Sequence, residues 1–418
     1  MKSTFFENNR QRYLEKVENN SLTVLFSGRE LQQTCDQNYQ FEVNRNFYYL
    51  TGINQPNVIL VLIKAGSGVR EVLFIEKNDP VMVKWVGAKL EKEEVRNISG
   101  IKAVSYLEDF NSYIFGILNQ TRKNSDTIEH LYCDLERRNL DGYSTKGLEF
   151  ASELKNKYLC LDVKNAYNII IGLRMYKTPE EVELIRASIE TTKGGIEELM
   201  KNSKEGLLEY QLESYFDFHI KQNGNKKVSF TTIAASGVNA TILHYTSNNT
   251  VIKNDDLILF DLGCITDNYI SDITRTFPVG GKFSPRQKDI YQSVLNVNKK
   301  CIEFLKPGIS WAEYNDYANK LLSEEMIKLG LIKDEKEFRK YYWHSIGHFI
   351  GLDTHDPGLH EFKLAPGMVV TCEPGIYVEE EAIGVRIEDD VLITEDGCIN
   401  LSSDIIKEVD DIERFMKK

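Results

Sequence analysis

The sequence predicts an α/β N-terminal domain followed by a larger α+β domain. Three observations carry that assignment. At 418 residues the chain exceeds the ~100–200 residues of a typical single domain. In its first part apolar, β-branched runs alternate with stretches of helical composition, the pattern of α/β layers. Behind Thr178 the order changes to helix pairs, each followed by paired strand-like runs, as a duplicated half would give.

Taken in order, residues 1–20 read as a polar helix, and SLTVLFSG, NVILVLIKAG and REVLFIE read as strands. KLEKEEVRNI has helical composition, and HLYCDLE and YLCLDV supply further strands. A domain boundary is expected near residues 170–176, which divides the chain into residues 1–172 and 173–418. Thr178-Pro179-Glu180-Glu181 is a helix start: Thr as N-cap, Pro at the first position, acids in the first turn. Helices are then expected at 179–202, 208–223, 285–305 and 311–329. Strands are expected at 229–235 and 256–277, with a strand-rich end from 343 to 410.

Composition narrows the function. Hydrophobic residues at 42% and charged residues at 27% are those of a globular protein with a full core. A net charge of −12 argues against nucleic-acid partners and against anionic membranes. No run approaches the ~20 apolar residues of a membrane span, and MKSTFFENNRQRYLEK lacks the apolar centre of a secretion signal, so the expected location is the cytoplasm. The seven cysteines have no CxxC spacing, which fits neither a disulfide framework nor a zinc ribbon.

Chemistry enters with DLGCITDNYISDITRTF, residues 261–277. It reads as a hairpin, and a turn centred on Thr266-Asp267 sets Asp261 directly opposite Asp272. Opposed carboxylates ~5 Å apart repel unless a cation lies between them. Each aspartate could equally cap a turn, so more ligands are needed.

Three of the seven histidines, His344, His348 and His355, gather in WHSIGHFIGLDTHDPG. HSIGH has the outline of a zincin helix without the glutamate that must follow its first histidine, so a zincin is excluded. Glu373 in VVTCEPGIY and Glu388 in GVRIEDD each follow an apolar strand-like run, and buried glutamates call for a cation or an arginine. Arg386 offers one positive charge against four carboxylates. Asp261, Asp272, Glu373 and Glu388 with one histidine form an oxygen-rich donor set suited to a hard divalent ion such as Mn²⁺. Two ions ~3.5–4 Å apart would balance the charge and make a hydrolytic pair.

These motifs in this order resemble the pita-bread metallohydrolases, the family of methionine aminopeptidase, prolidase and aminopeptidase P. The resemblance implies a pita-bread (creatinase/aminopeptidase-like) fold for the α+β domain. It makes Asp261, Asp272, His348, Glu373 and Glu388 the metal ligands, with a hydroxide between two ions as nucleophile. It gives His244 (in ATILHYTSNN), His344 and His355 to the substrate and the oxyanion, and makes Arg386 a support for the last glutamate. Residues 165–410 carry this part of the likeness.

The N-terminal domain resembles that of aminopeptidase P, through FYYLTG ahead of an apolar strand and KWVGAKL, read as a loop in which Trp85 reaches substrate. The expected function is therefore a metal-dependent exopeptidase for peptides with proline at the second position, acting as a homodimer or homotetramer. A dipeptide-restricted prolidase and a non-catalytic binding protein are the alternatives. Tyr245, Trp85 and the aromatics around Phe349 are the candidates for an apolar shelf under the proline.

Overall fold

A computed structural model of the chain describes residues 1–119, 127–137, 139, 142, 144–359 and 361–417. Two compact units divide it, Met1–Arg174 and Met175–Lys418.

The N-terminal unit is built on a six-stranded sheet. The hairpin Ile59–Ala65 and Gly68–Ile75 pairs antiparallel with Ser21–Phe26, and Ala103–Tyr106, His130–Cys133 and Asp162–Asn165 add in parallel at the two edges. Strand alternation decides which side chains meet. Leu22 and Val24, Val61 and Ile63, Val72 and Phe74, Leu131 and Cys133 all lie in one buried cluster. The expected first helix is Ser3–Lys16, and its Arg10 is almost fully buried. Arg10 donates to the carbonyls of Leu50 and Ser99, both at 2.9 Å, so one guanidinium caps the ends of the helices Arg45–Thr51 and Lys92–Ser99. Two elements differ from the sequence expectation. Only the end of YLCLDV enters a strand, Asp162–Asn165, and KWVGAKL is not a loop throughout: Pro80–Val86 is a short helix, N-capped by Asp79, that stops at Gly87 where φ is 87°.

In the C-terminal unit the start at Thr178 holds as a capping box on the helix Pro179–Asn202. Glu209–Gln222 packs beside it, and a second pair, Pro285–Phe304 and Trp311–Lys328, follows later. Between the pairs lies the sheet Ile273–Pro278, Leu257–Leu262, Ile233–Ser236. Behind the second pair come the sheet Val369–Cys372, Asp389–Ile393, Cys398–Asn400 and the ribbon Gly375–Val378, Ile383–Arg386. The expected strand-rich end is narrower than 343–410. The described residues between 343 and 368 are mostly irregular, and Val409–Phe415 is a helix.

Candidate metal centre and active site

The hairpin exists, with its turn one residue later than the sequence reading placed it. Asp267 and Asn268 both take left-handed φ, 50° and 69°, which Asp and Asn tolerate better than Thr266. Every pair therefore shifts, and Asp261 faces Thr274 rather than Asp272. Asp272 lies two positions before Thr274, so the two aspartates are diagonal neighbours across the hairpin instead of a directly opposed pair.

The histidine segment reaches the site by lying along the strand that leads to Glu373. Thr371 N–H donates to the His348 carbonyl (2.9 Å), His348 N–H to the Thr371 hydroxyl (3.0 Å) and Glu373 N–H to the Ile346 carbonyl (2.9 Å). This contact requires glycine at 347, because a Cβ there would stand 2.2 Å from the Thr371 carbonyl oxygen. His355 sits on a loop fixed from below. The neighbouring Asp356 forms a buried ion pair with Lys177 (3.0 Å), and its N–H donates to the Phe349 carbonyl. The two glutamates sit at the adjoining ends of paired strands, Glu373 just after Val369–Cys372 and Glu388 just before Asp389–Ile393, and Asn298 ties them there: its amide donates to the carbonyls of Cys372 and Ile387, the residues just before them.

The result is a cavity of about 670 Å³ whose walls include Asp261, Asp272, His348, Glu373, Glu388 and Arg386. His348 Nε2 is 3.4 Å from Asp272 Oδ2 and 3.7 Å from Glu373 Oε1. Donor atoms of Asp272, His348 and Glu388 lie within 4.8 Å of one another. Arg386 Nη2 donates to Asp261 Oδ2 at 2.6 Å, its Nη1 to the Tyr377 hydroxyl and its Nε to the Thr274 hydroxyl, which in turn donates to Glu388 at 2.6 Å. His344 shares its Nε2 with the same Tyr377 hydroxyl at 2.8 Å. Tyr377 and Thr274 were not singled out in the sequence; only their place inside the quoted motifs CEPGIY and SDITRTF marked them.

Burial without enough positive charge dominates the electrostatics. It pushes Asp261 up to about 6 and Glu373 up to about 7, and it raises Glu388 too, with Asp272 adding to each. Burial works against a charged His348, but Asp272 and Glu373 outweigh it and lift the imidazole to about 9. His344, buried and beside Arg386, falls to about 3, and His355 is lowered by burial and by His348. Asp261 Oδ1 is buried without a hydrogen-bond partner. An orphaned carboxylate oxygen among four acids and one imidazole is the donor set of a divalent-ion site, so the residues fit the expected metals.

His244, His344 and His355 all line the cavity. Tyr245 does not. Its hydroxyl donates to buried Glu209 at 2.8 Å, and its ring packs on the cluster of Ile233, Ala235, Ala240 and Leu259. Phe349 is also away from the cavity, edge-on to Trp311 in the core. The apolar wall comes from Phe230, Ile233 and Leu243 instead. The described residues of that wall all belong to Met175–Lys418, so Trp85 is not among them; it is 80% exposed on the N-terminal unit.

Comparison with known proteins agrees with this geometry. Residues 183–395 match the metallopeptidase family M24, and residues 6–126 match the aminopeptidase P N-terminal domain. An Xaa-Pro aminopeptidase of Haemophilus influenzae is 33% identical, over 98% of this chain and 96% of the relative. A solved structure from Bacillus anthracis superposes with a TM-score of 0.97 at 48% identity, covering 100% of this chain and 99% of that one. The Zn-substituted Escherichia coli aminopeptidase P in complex with product gives a TM-score of 0.90 at 29% identity, covering 100% and 98%.

Proposed function

This chain belongs to metallopeptidase family M24 and carries an aminopeptidase P N-terminal domain, and from that footing we propose that it hydrolyses the Xaa-Pro bond at the N-terminus of peptides. The carrying observation is the meeting, in one cavity, of four acidic side chains, His348 and three further histidines against an apolar wall. Asp261, Asp272, His348, Glu373 and Glu388 would hold two divalent ions, and their oxygen-rich set supports Mn²⁺. Such ions lower the pKa of water towards ~7 and polarise a carbonyl.

The side chains supply the rest. Arg386 clamps Asp261 and, through Thr274, Glu388. Glu373, ionised beside the ions, would take a proton from the attacking water and pass it to the proline nitrogen, a service typically worth ~10²–10⁴-fold. Burial favours the neutral form of His355, whose ring N–H would donate to the developing oxyanion, with His244 on the leaving side and His344 held by Tyr377 at the edge. Proline offers no N–H, and Phe230, Ile233 and Leu243 give its ring an apolar surface.

We extend the reading to a cytoplasmic homodimer or homotetramer in which Trp85 contacts substrate. Seven unpaired cysteines support a reducing compartment. Val81, Met82, Trp85 and Val86, exposed together on one helix, support an apolar contact between subunits. The test is to strip the protein of metal and reload it with Mn²⁺, Co²⁺ or Zn²⁺. It is then assayed on Xaa-Pro dipeptides, Xaa-Pro-Xaa tripeptides and Xaa-Ala-Xaa controls. Cleavage of the tripeptide at the Xaa-Pro bond is expected. Turnover of dipeptides alone would make it a prolidase, and metal uptake without any cleavage would make it a binding protein.

A further inference from the structure

Glu209 opens the helix Glu209–Gln222 and is completely buried. Five donors converge on it. Oε1 accepts from the N–H and the hydroxyl of Ser236, both at 2.7 Å, and from the Asn239 amide at 3.1 Å. Oε2 accepts from the Tyr245 hydroxyl at 2.8 Å and the Thr250 N–H at 3.0 Å. So full a set offsets the desolvation that a buried carboxylate otherwise suffers.

The donors share a second property. Ser236 ends the strand that carries Ile233, while Asn239, Tyr245 and Thr250 span the loop that carries Leu243, His244 and Thr246, and both are walls of the cavity. Apart from the Tyr245 ring on its apolar cluster and bonds within the loop, the tip that carries His244 has little other support. Ile242 and His244 are exposed, and the segment between the short helix Gly237–Thr241 and Asn248 has no strand partner among the described residues. Its far end is held beside Glu209. The Asn248 carbonyl accepts from Tyr210 N–H at 2.7 Å, and the Asn248 side chain bonds Ala234 N–H and the Thr232 carbonyl.

We propose that Glu209 is a positioning residue for substrate: one carboxylate ties strand to loop and thereby sets His244 and Leu243 against the peptide. Tyr245 then acts through Glu209 rather than as a shelf for proline. The inference rests on the peptidase reading for what the loop contacts, but not for the tie itself. Glu209→Gln keeps the volume and removes one acceptor, so its amide nitrogen must face either the Ser236 and Asn239 donors or the Thr250 N–H. Tyr245→Phe removes one donor and leaves the carboxylate in place.

The experiment uses the metal-loaded full chain as wild type, Glu209→Gln, Tyr245→Phe, His244→Ala and the Glu209→Gln/His244→Ala pair. Hydrogen exchange of residues 237–250, metal content, and kinetics on an Xaa-Pro-Xaa tripeptide are read on each. Metal content should not change. Exchange should rise in that loop and not in the strand Val369–Cys372. Glu209→Gln should lower kcat/KM about tenfold, the factor that loss of one charge-assisted hydrogen bond corresponds to, with Tyr245→Phe smaller in the same direction. In the His244→Ala background the further loss should be under about twofold, because the loop no longer has that group to present. Equal losses in both backgrounds, or unchanged loop exchange in both Glu209→Gln and Tyr245→Phe, would overturn the proposal. If the wild type takes up metal and cleaves no Xaa-Pro peptide, the peptidase reading falls, and loop exchange alone still decides the role of Glu209.

Discussion

Removing metal should invert how the stability of this protein depends on pH. The perturbation is chelation followed by thermal unfolding at pH 5.5 to 8.5. In the metal-free cavity Asp261 rises from 3.8 to about 6, Glu373 from 4.5 to about 7 and His348 from 6.5 to about 9. The signs agree. Both carboxyls keep their protons in the fold after the unfolded chain has released them, so stability declines as pH rises from about 4 to 7. His348 is stabilising while charged, a contribution fully present below about 6.5 and lost as pH rises through about 9.

Each of these shifts corresponds to ~3 kcal/mol at about 1.36 kcal/mol per unit, and because the three groups titrate against one another their effects overlap. After the ~1.4 kcal/mol that His344 returns over the same range, a net loss on the order of 3 kcal/mol between pH 5.5 and 8.5 follows. At ~2–4 °C per kcal/mol for a unit the size of Met175–Lys418, the apo Tm should fall by roughly 10 °C over that range. Bound divalent ions need ionised carboxylates and a neutral imidazole, so in the loaded protein the fall should vanish or reverse. Differential scanning calorimetry with and without chelator reads both curves. Parallel curves, or an apo protein that gains stability towards pH 8.5, would refute the charge balance deduced for the cavity.

Three substitutions separate the parts of the site. His355→Ala should retain both metals by elemental analysis while kcat/KM drops ~10²–10³-fold, as for loss of one oxyanion donor; loss of metal alongside activity would make His355 a ligand. Arg386→Lys leaves Tyr377, Thr274 and Asp261 without the guanidinium that joins them, and should cost about 3 kcal/mol by denaturant titration; a change under ~0.5 kcal/mol would contradict the clamp. Trp85→Ala should raise KM for tripeptides by about tenfold or more while leaving kcat and metal content alone, and unchanged kinetics would remove Trp85 from the substrate path.

Local rules made much of this structure legible in the sequence. Thr178 opens a helix because it satisfies a free N–H group, and that signal is written in a few consecutive residues. Glu373 and Glu388 could be found because acids that follow apolar runs need an explanation, and His344, His348 and His355 because a rare residue gathers in one segment. What escaped was set by tertiary contact or by one-residue detail. The turn moved from Thr266-Asp267 to Asp267-Asn268 on the preference for left-handed φ, and that single step changed the partner of Asp261. Nothing local tells that Gly347 must let the histidine segment onto Thr371, or that Asn298 joins the segments of the two glutamates from a helix 74 residues before Cys372 and 89 before Ile387. Tyr245 looked like an aromatic shelf because a sequence carries no sign that its hydroxyl is already bound by Glu209.

The central claim is that Asp261, Asp272, His348, Glu373 and Glu388 hold a pair of ions that the other cavity residues serve. Anomalous diffraction from crystals of the Mn²⁺-loaded protein tests it most directly. Two peaks ~3.5–4 Å apart, each bonded by side chains from this set and by none of His244, His344 or His355, are the predicted result. A single ion, or a peak ligated elsewhere while Asp261 keeps only its contact with Arg386, would contradict the account.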